Sequence, residues 1–201
     1  NFSRVIEDLE FVEEGHLYLY KGMIIPSVSD ILAFIFPNKY KDVPDWILNA
    51  KAEYGSLVHE LVEQLENGKT IEELKQEYQF NYIVESSLEQ HLKLKKEYEI
   101  ETISQEEMVC YKGLYAGRYD SEAMIKRELS LVDRKTTDDL DKEYLSWQLS
   151  YYELAKGKRY KKLYVEWLPK KGLGKLVEIK RKSKKELIEM LNKYFMNKGE
   201  K

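Results

Sequence analysis

Residues 128–136 read ELSLVDRKT, with two apolar positions, Leu131 and Val132, running straight into three charges, Asp133, Arg134 and Lys135. Side chains alternate faces along a strand, so Asp133 and Lys135 point one way and Arg134 the other. A carboxylate and an ammonium then sit side by side at the end of a buried strand. Buried charges are costly unless they are paired or hold a metal. A plain structural ion pair is the competing reading of these residues taken alone. Just upstream, residues 114–123 read LYAGRYDSEA and place Asp120 thirteen residues before Asp133. A turn at Lys126–Glu128 folds the second strand back along the first, so the two acids converge. Two carboxylates in one place repel unless a cation neutralises them, and such oxygen ligands suit Mg²⁺ or Mn²⁺. Gly117 marks a position where a ligand or another backbone comes close.

The pattern extends outward from this hairpin. Residues 107–135 read as strands. DKEYLSWQLSYYELAKG (141–157) reads as a helix ending at Gly157, and KLYVEWLP (162–169) and GKLVEIKR (174–181) as strands joined near Gly172. SKKELIEMLNKYF (183–195) is a helix with Ser183 as N-cap and Glu186 three residues on, a capping box. Toward the N-terminus, HLYLYKGMIIPSVSDIL (16–32) reads as a hairpin turning at Lys21-Gly22, then a helix capped by Ser27 or Ser29 and stopped by Pro37 and Asn38. Apolar residues recur at three and four over 45–66, with Gly55 interrupting and Asn67-Gly68 closing the helix; a polar, less regular helix covers about 71–98. The order is helices, three strands, helix, two strands, helix. It predicts an α/β fold of mixed α+β type, a central mixed sheet flanked by helices, in a single domain over 1–201. Its parts are an N-terminal hairpin and helices (1–100), a sheet core (about 101–182) and a C-terminal helix (183–197).

Composition narrows the class. Hydrophobic residues at 43% supply a core, and the 34% charged residues are of mixed sign, which excludes bulk disorder. The single cysteine, Cys110, excludes an internal disulfide framework and a cysteine zinc site, and fits a reducing compartment. There is no apolar run long enough to span a membrane, and no signal pattern is legible; a cytoplasmic protein is expected. Sixteen Lys/Arg against five Asp/Glu lie between Lys156 and Lys201, a net of +11, which leaves −14 for the rest. Acids that hold cations and bases that hold phosphates would give such a division, as would a solvated lysine-rich surface.

Two further segments join the candidate site. Gln148 and Tyr152 are four apart on a helix and share a face. His59, in GSLVHELVE (55–63), sits among apolar residues at helical spacing, where a satisfied structural histidine is the ordinary outcome. It matters to chemistry only if its ring reaches the carboxylates. His16 and His91 read as structural.

Taken together, these elements resemble the PD-(D/E)xK nuclease superfamily, in particular its RecB-type and phage exonuclease-like branch. HLYLYKGMIIPSVSDIL is similar to the N-terminal segment of phage-encoded members, and GSLVHELVE to the helix that supplies that branch's metal-binding histidine, here His59. AGRYD is similar to its G-x-x-D strand, LVDRKTT to its D-x-K strand and QLSYY to its Q-x-x-x-Y motif. The departures are the lack of a proline before Asp120 and an Asp rather than Glu as second acid. The resemblance implies a restriction-endonuclease-like core with Asp120, Asp133 and Lys135 catalytic. It implies Mg²⁺ or Mn²⁺ held by His59, Asp120, Asp133 and the Arg134 backbone carbonyl, and Gln148 and Tyr152 orienting the substrate. An upstream acid often joins such sites; Glu106 and Glu107 both qualify, and the EEMV context favours Glu106. The implied activity is metal-dependent hydrolysis of DNA, by an exonuclease of phage or bacterial recombination or repair. DNA is then the partner, with a helicase or a single-strand annealing or binding protein alongside, in a bacterial or phage-infected cell. The alternative is a catalytically inactive module on a nuclease fold that binds nucleic acid or a protein.

Overall fold

The computed structural model describes residues 6–199; the ends of the expected domain, 1–5 and 200–201, lie outside them. The fold is mixed α/β, with six helices and a five-stranded mixed sheet among the described residues, beside a small three-stranded sheet.

The small sheet is antiparallel: β1 (Leu9–Val12), β2 (Leu17–Tyr20) and β3 (Met23–Ile25). The β2–β3 turn falls at Lys21-Gly22 as read. Both residues have positive φ (50° and 79°), the backbone that matches the twist of a two-residue hairpin. Helix α1 (Val28–Ile35) is capped by Ser27 rather than Ser29: Ser27 Oγ accepts from the Asp30 N–H while Asp30 accepts from the Ser27 N–H.

Helix α2 (Asp45–Glu66) has the bounds that the sequence gives it. Gly55 lies inside it rather than breaking it, and a Cβ there would stand 3.3 Å from Thr136 Oγ1, so the small residue lets α2 pass close to the sheet. The single helix expected over 71–98 is two, α3 (Ile71–Glu77) and α4 (Tyr82–Glu97). Tyr78 turns extended (φ −120°, ψ 143°), and the Asn81 side chain accepts from the N–H groups of Ile83 and Val84, which starts a fresh helix.

The main sheet has the order β4-β5-β6-β7-β8: β4 (Glu101–Tyr111), β5 (Tyr115–Ile125), β6 (Glu128–Lys135), β7 (Lys162–Trp167) and β8 (Lys175–Ile179). Strand β4 begins six residues before the expected start at 107. It is an edge strand with a register shift at Thr102/Ser104, and its polar half, ETISQE, lacks the apolar alternation that marks a half-buried strand. All pairings are antiparallel except β6–β7. That parallel pair needs a crossover, which α5 (Lys142–Lys156) provides, running from an Asp141 cap to Gly157 in the left-handed conformation. Helix α6 (Lys184–Gly199) carries the Ser183/Glu186 capping box.

The largest apolar cluster packs α1, α5 and α6 on the sheet through Tyr115, Tyr119, Leu131, Leu149, Tyr151 and Leu187. A second joins α2, α3 and α4 through Val58, Leu61, Val62, Leu74 and Leu88, all but fully buried. Part of the basic C-terminal segment pairs with the acidic body, and one pair, Lys162–Glu178, is internal to the segment. Lys156 meets Glu107, Lys158 Glu122, Lys162 Glu178, Arg181 Glu153 and Lys182 Glu143, each within 3 Å. The charge division is therefore partly internal pairing. Among the described residues, no helix is long and apolar enough to cross a membrane.

Candidate metal centre

Strands β5 and β6 pair from Ile125↔Glu128 to Ser121↔Val132, where their ladder stops. The next step places Asp120 beside Asp133. The Arg134 N–H, freed from the ladder, donates to Asp120 Oδ2 at 2.6 Å. In an extended strand the N–H and C=O of one residue face the same neighbour, so the Arg134 carbonyl faces this spot as well. The carboxyl groups of Asp120 and Asp133 act on one another's ionisation.

Lys135 and Asp133 share a face, with Nζ 3.2 Å from Oδ2, as the alternation demands. That oxygen is nevertheless buried without a hydrogen-bond partner. Helix α2, held close by Gly55, brings His59 Nδ1 to 3.5 Å from Asp120 Oδ1. Glu106 comes in from β4. His59, Glu106 and Asp120 each present one ligand atom, and these lie within 4.8 Å of one another. Glu106 is thus the upstream acid of the cluster, whereas Glu107 is occupied by the Tyr119 hydroxyl at 2.7 Å and Lys156 at 2.9 Å. Glu106 has φ +51°, a conformation that costs a non-glycine residue about 1 kcal/mol or more. The strain sits where its carboxyl enters the cluster. The converging trio differs from the expected ligand set: Glu106 is in it, and Asp133 stands next to Asp120 but outside it.

The protonation pattern is that of crowded acids. Burial, reinforced by the Asp120 charge, pushes Glu106 up to about 7. Burial and Asp120 likewise raise Asp133 to about 7, against the pull of Lys135. Burial works to raise Asp120 too, but His59 and the Arg134 guanidinium outweigh it and hold the carboxyl well below the usual range. His59 is raised because Asp120 overcomes the effect of burial. Three crowded acids, two of them pushed up toward neutrality by burial and by the Asp120 charge, fit a divalent ion that would relieve the repulsion.

Gln148 and Tyr152 are together: Gln148 Nε2 donates to the Tyr152 hydroxyl at 3.3 Å, and Gln148 Oε1 is buried with no partner. Tyr152 also accounts for Gly117. A Cβ there would lie 2.8 Å from Tyr152 Cε1 and 2.9 Å from Val28 Cγ2, so the close approach read from the sequence is that of an aromatic ring.

Two features escaped the sequence reading. Glu63, one helical turn after His59, lines the same cleft with Glu60; the signal was the H-x-x-x-E spacing inside GSLVHELVE. The second is a buried charge network beneath the site. Arg134, on the opposite face from Asp133, donates to Glu166 Oε1 at 3.2 Å. His91 bridges Glu166 Oε1 (2.7 Å) and Glu66 Oε1 (2.6 Å), and Lys95 meets Glu66 Oε2 at 2.6 Å. Both His91 ring nitrogens face carboxylates. Burial would lower its pKa, but the glutamates outweigh burial and raise it, so the ring is held as imidazolium. Burial would raise Glu66, yet its hydrogen bonds from His91 and Lys95 bring it down to about 2. No local pattern reveals partners 25 and 75 residues apart.

No family model matches this chain, and no curated protein matches it either. Among solved structures it is similar to one titled "Crystal structure of SSO0001", 14% identical over 85% of this chain and 74% of that one, with a TM-score of 0.44, a likeness too weak to carry an assignment.

Proposed function

We propose that this chain is a metal-dependent deoxyribonuclease with a restriction-endonuclease-like core, of the PD-(D/E)xK kind. The observation that carries the reading is the convergence of His59, Glu106 and Asp120 beside the buried Asp133 carboxyl, whose Oδ2 pairs with Lys135 Nζ at 3.2 Å. His59, Glu106 and Asp120 would hold Mg²⁺ or Mn²⁺, with Asp133 and the Arg134 carbonyl adjoining. Such an ion supplies positive charge against a phosphate and acidifies water for the attack.

The chain's own groups do the rest. The Lys135 ammonium stabilises negative charge that develops on the phosphoryl oxygens. Asp133 holds that ammonium in place and, when ionised, accepts a proton from water. Arg134, locked through Glu166, fixes the backbone between the two functional side chains. Gln148, with its free Oε1, and Tyr152 orient the strand. The family resemblance, rather than the site chemistry, suggests an exonuclease acting in recombination or repair, alongside a helicase or a single-strand annealing or binding protein.

The test is hydrolysis of end-labelled linear and of circular DNA. Mg²⁺-dependent products that EDTA abolishes are expected. Metal-stimulated DNA binding without cleavage of any form would overturn the nuclease reading in favour of an inactive nucleic-acid-binding module.

A further inference from the structure

Strand β4 is an edge of the main sheet, and its ladder runs to β5 alone. Alternate residues of such a strand turn their N–H and C=O groups outward, where another strand can pair with them. Among the described residues, no group is hydrogen-bonded to the outward backbone of Glu101–Glu106. A groove of about 800 Å³ runs along this edge. Every residue from Ile100 to Glu107 lines it, which marks the edge of the strand, since a groove over one face would meet only alternate residues. Glu63, Glu66 and Asn67 at the end of α2, with Lys95 of α4, form the other wall. The walls are tied where Gln105 Nε2 donates to Asn67 Oδ1 at 3.3 Å.

The groove is acidic. Glu63, Glu66, Glu101, Glu106 and Glu107 face it, against Lys95 as its basic side chain. Lys95 is taken by Glu66 at 2.6 Å, and Glu107 is met by Lys156 at 2.9 Å. Glu63 and Glu101 have no ion pair among the described residues. Such a wall repels a phosphate backbone. It also repels a second copy of itself, because two β4 edges side by side set acids against acids. The bulge at Thr102/Ser104 and the left-handed backbone at Glu106 keep the open stretch short. Within it, exposed Ile103 adds an apolar contact. We propose that the β4 edge docks a short extended segment of a partner protein, with lysine or arginine at alternate positions, which joins the main sheet as a further strand. Main-chain hydrogen bonds to Glu101–Gln105 hold the segment, and its basic side chains, meeting Glu63 and Glu101, select it. This docking site goes beyond the nuclease reading and does not depend on it.

The experiment is fluorescence anisotropy of a fluorescein-labelled peptide of alternating lysine and threonine with the full chain. A second peptide has the same sequence and charge but is N-methylated at every backbone nitrogen, so it cannot donate to a strand. The first is expected to bind, and the second to bind about tenfold more weakly or worse. Glu101→Lys is expected to weaken the first by roughly threefold or more. Glu101 is exposed, so its substitution reads the groove rather than the fold. Hydrogen exchange of the amides in 101–105 is expected to slow when the peptide binds. The proposal is overturned if neither peptide binds, or if both bind alike, which would leave charge attraction alone. It is overturned too if Glu101→Lys changes nothing, if the β4 amides gain no protection, or if the free chain is a dimer whose β4 amides are already protected by the second copy. DNA hydrolysis is not read, so failure of the nuclease reading leaves the docking site standing.

Discussion

Asp133→Asn is expected to reduce Mg²⁺-dependent DNA hydrolysis by roughly 10³-fold while leaving the thermal midpoint at or above that of the wild type. The two effects have opposite signs for one reason. Burial first, and then the charge of the neighbouring Asp120, push the Asp133 carboxyl up to about 7. Asparagine matches the protonated form in shape, so the repulsion goes and the packing stays. The chemistry loses an acceptor for a proton and the counter-charge that holds Lys135, 3.2 Å away. Rate assays with end-labelled DNA and a thermal melt without metal check both halves. Undiminished hydrolysis would exclude Asp133 from the reaction, and a large drop in the melt would make it a structural ion pair.

Glu166→Ala is expected to cost about 3–5 kcal/mol of stability. Glu166 is almost fully buried and accepts from both Arg134 and His91. Its removal leaves a buried guanidinium and a buried imidazolium without their shared counter-charge. For a chain of this size that amounts to a fall of roughly 6 to 20 °C in Tm. Calorimetry or urea unfolding reads it directly. A loss under about 1 kcal/mol would mean that water or neighbouring groups satisfy Arg134, and that the network does not hold β6 in place.

The parts of the fold legible in the sequence were those decided locally. The Lys21-Gly22 turn, the Ser183/Glu186 box and the α5 stop at Gly157 each follow from a few adjacent residues. The meeting of Asp120 and Asp133 was legible for the same reason. The two-residue turn at Lys126-Arg127, both at positive φ, sets the register, and the register sets the acids opposite each other. Elements without a local pattern were not legible. The short β1 and the polar first half of β4 carry too little apolar alternation, and the break at Tyr78–Asn81 interrupts a stretch whose polarity masks its period. At the site, Asp133 and Lys135 follow from strand alternation, whereas Glu106 over Glu107 depends on a left-handed backbone in mid-strand that no residue type announces. The His91 network is tertiary, made of residues far apart in the chain.

We propose that His59, Glu106 and Asp120 form a divalent-metal centre. It is tested most directly by anomalous scattering from crystals grown with Mn²⁺. The expected result is a peak in coordinating contact with all three residues, lost in Asp120→Ala. A map with no peak at that position under millimolar Mn²⁺, or with Mn²⁺ only on surface carboxylates elsewhere, would contradict it.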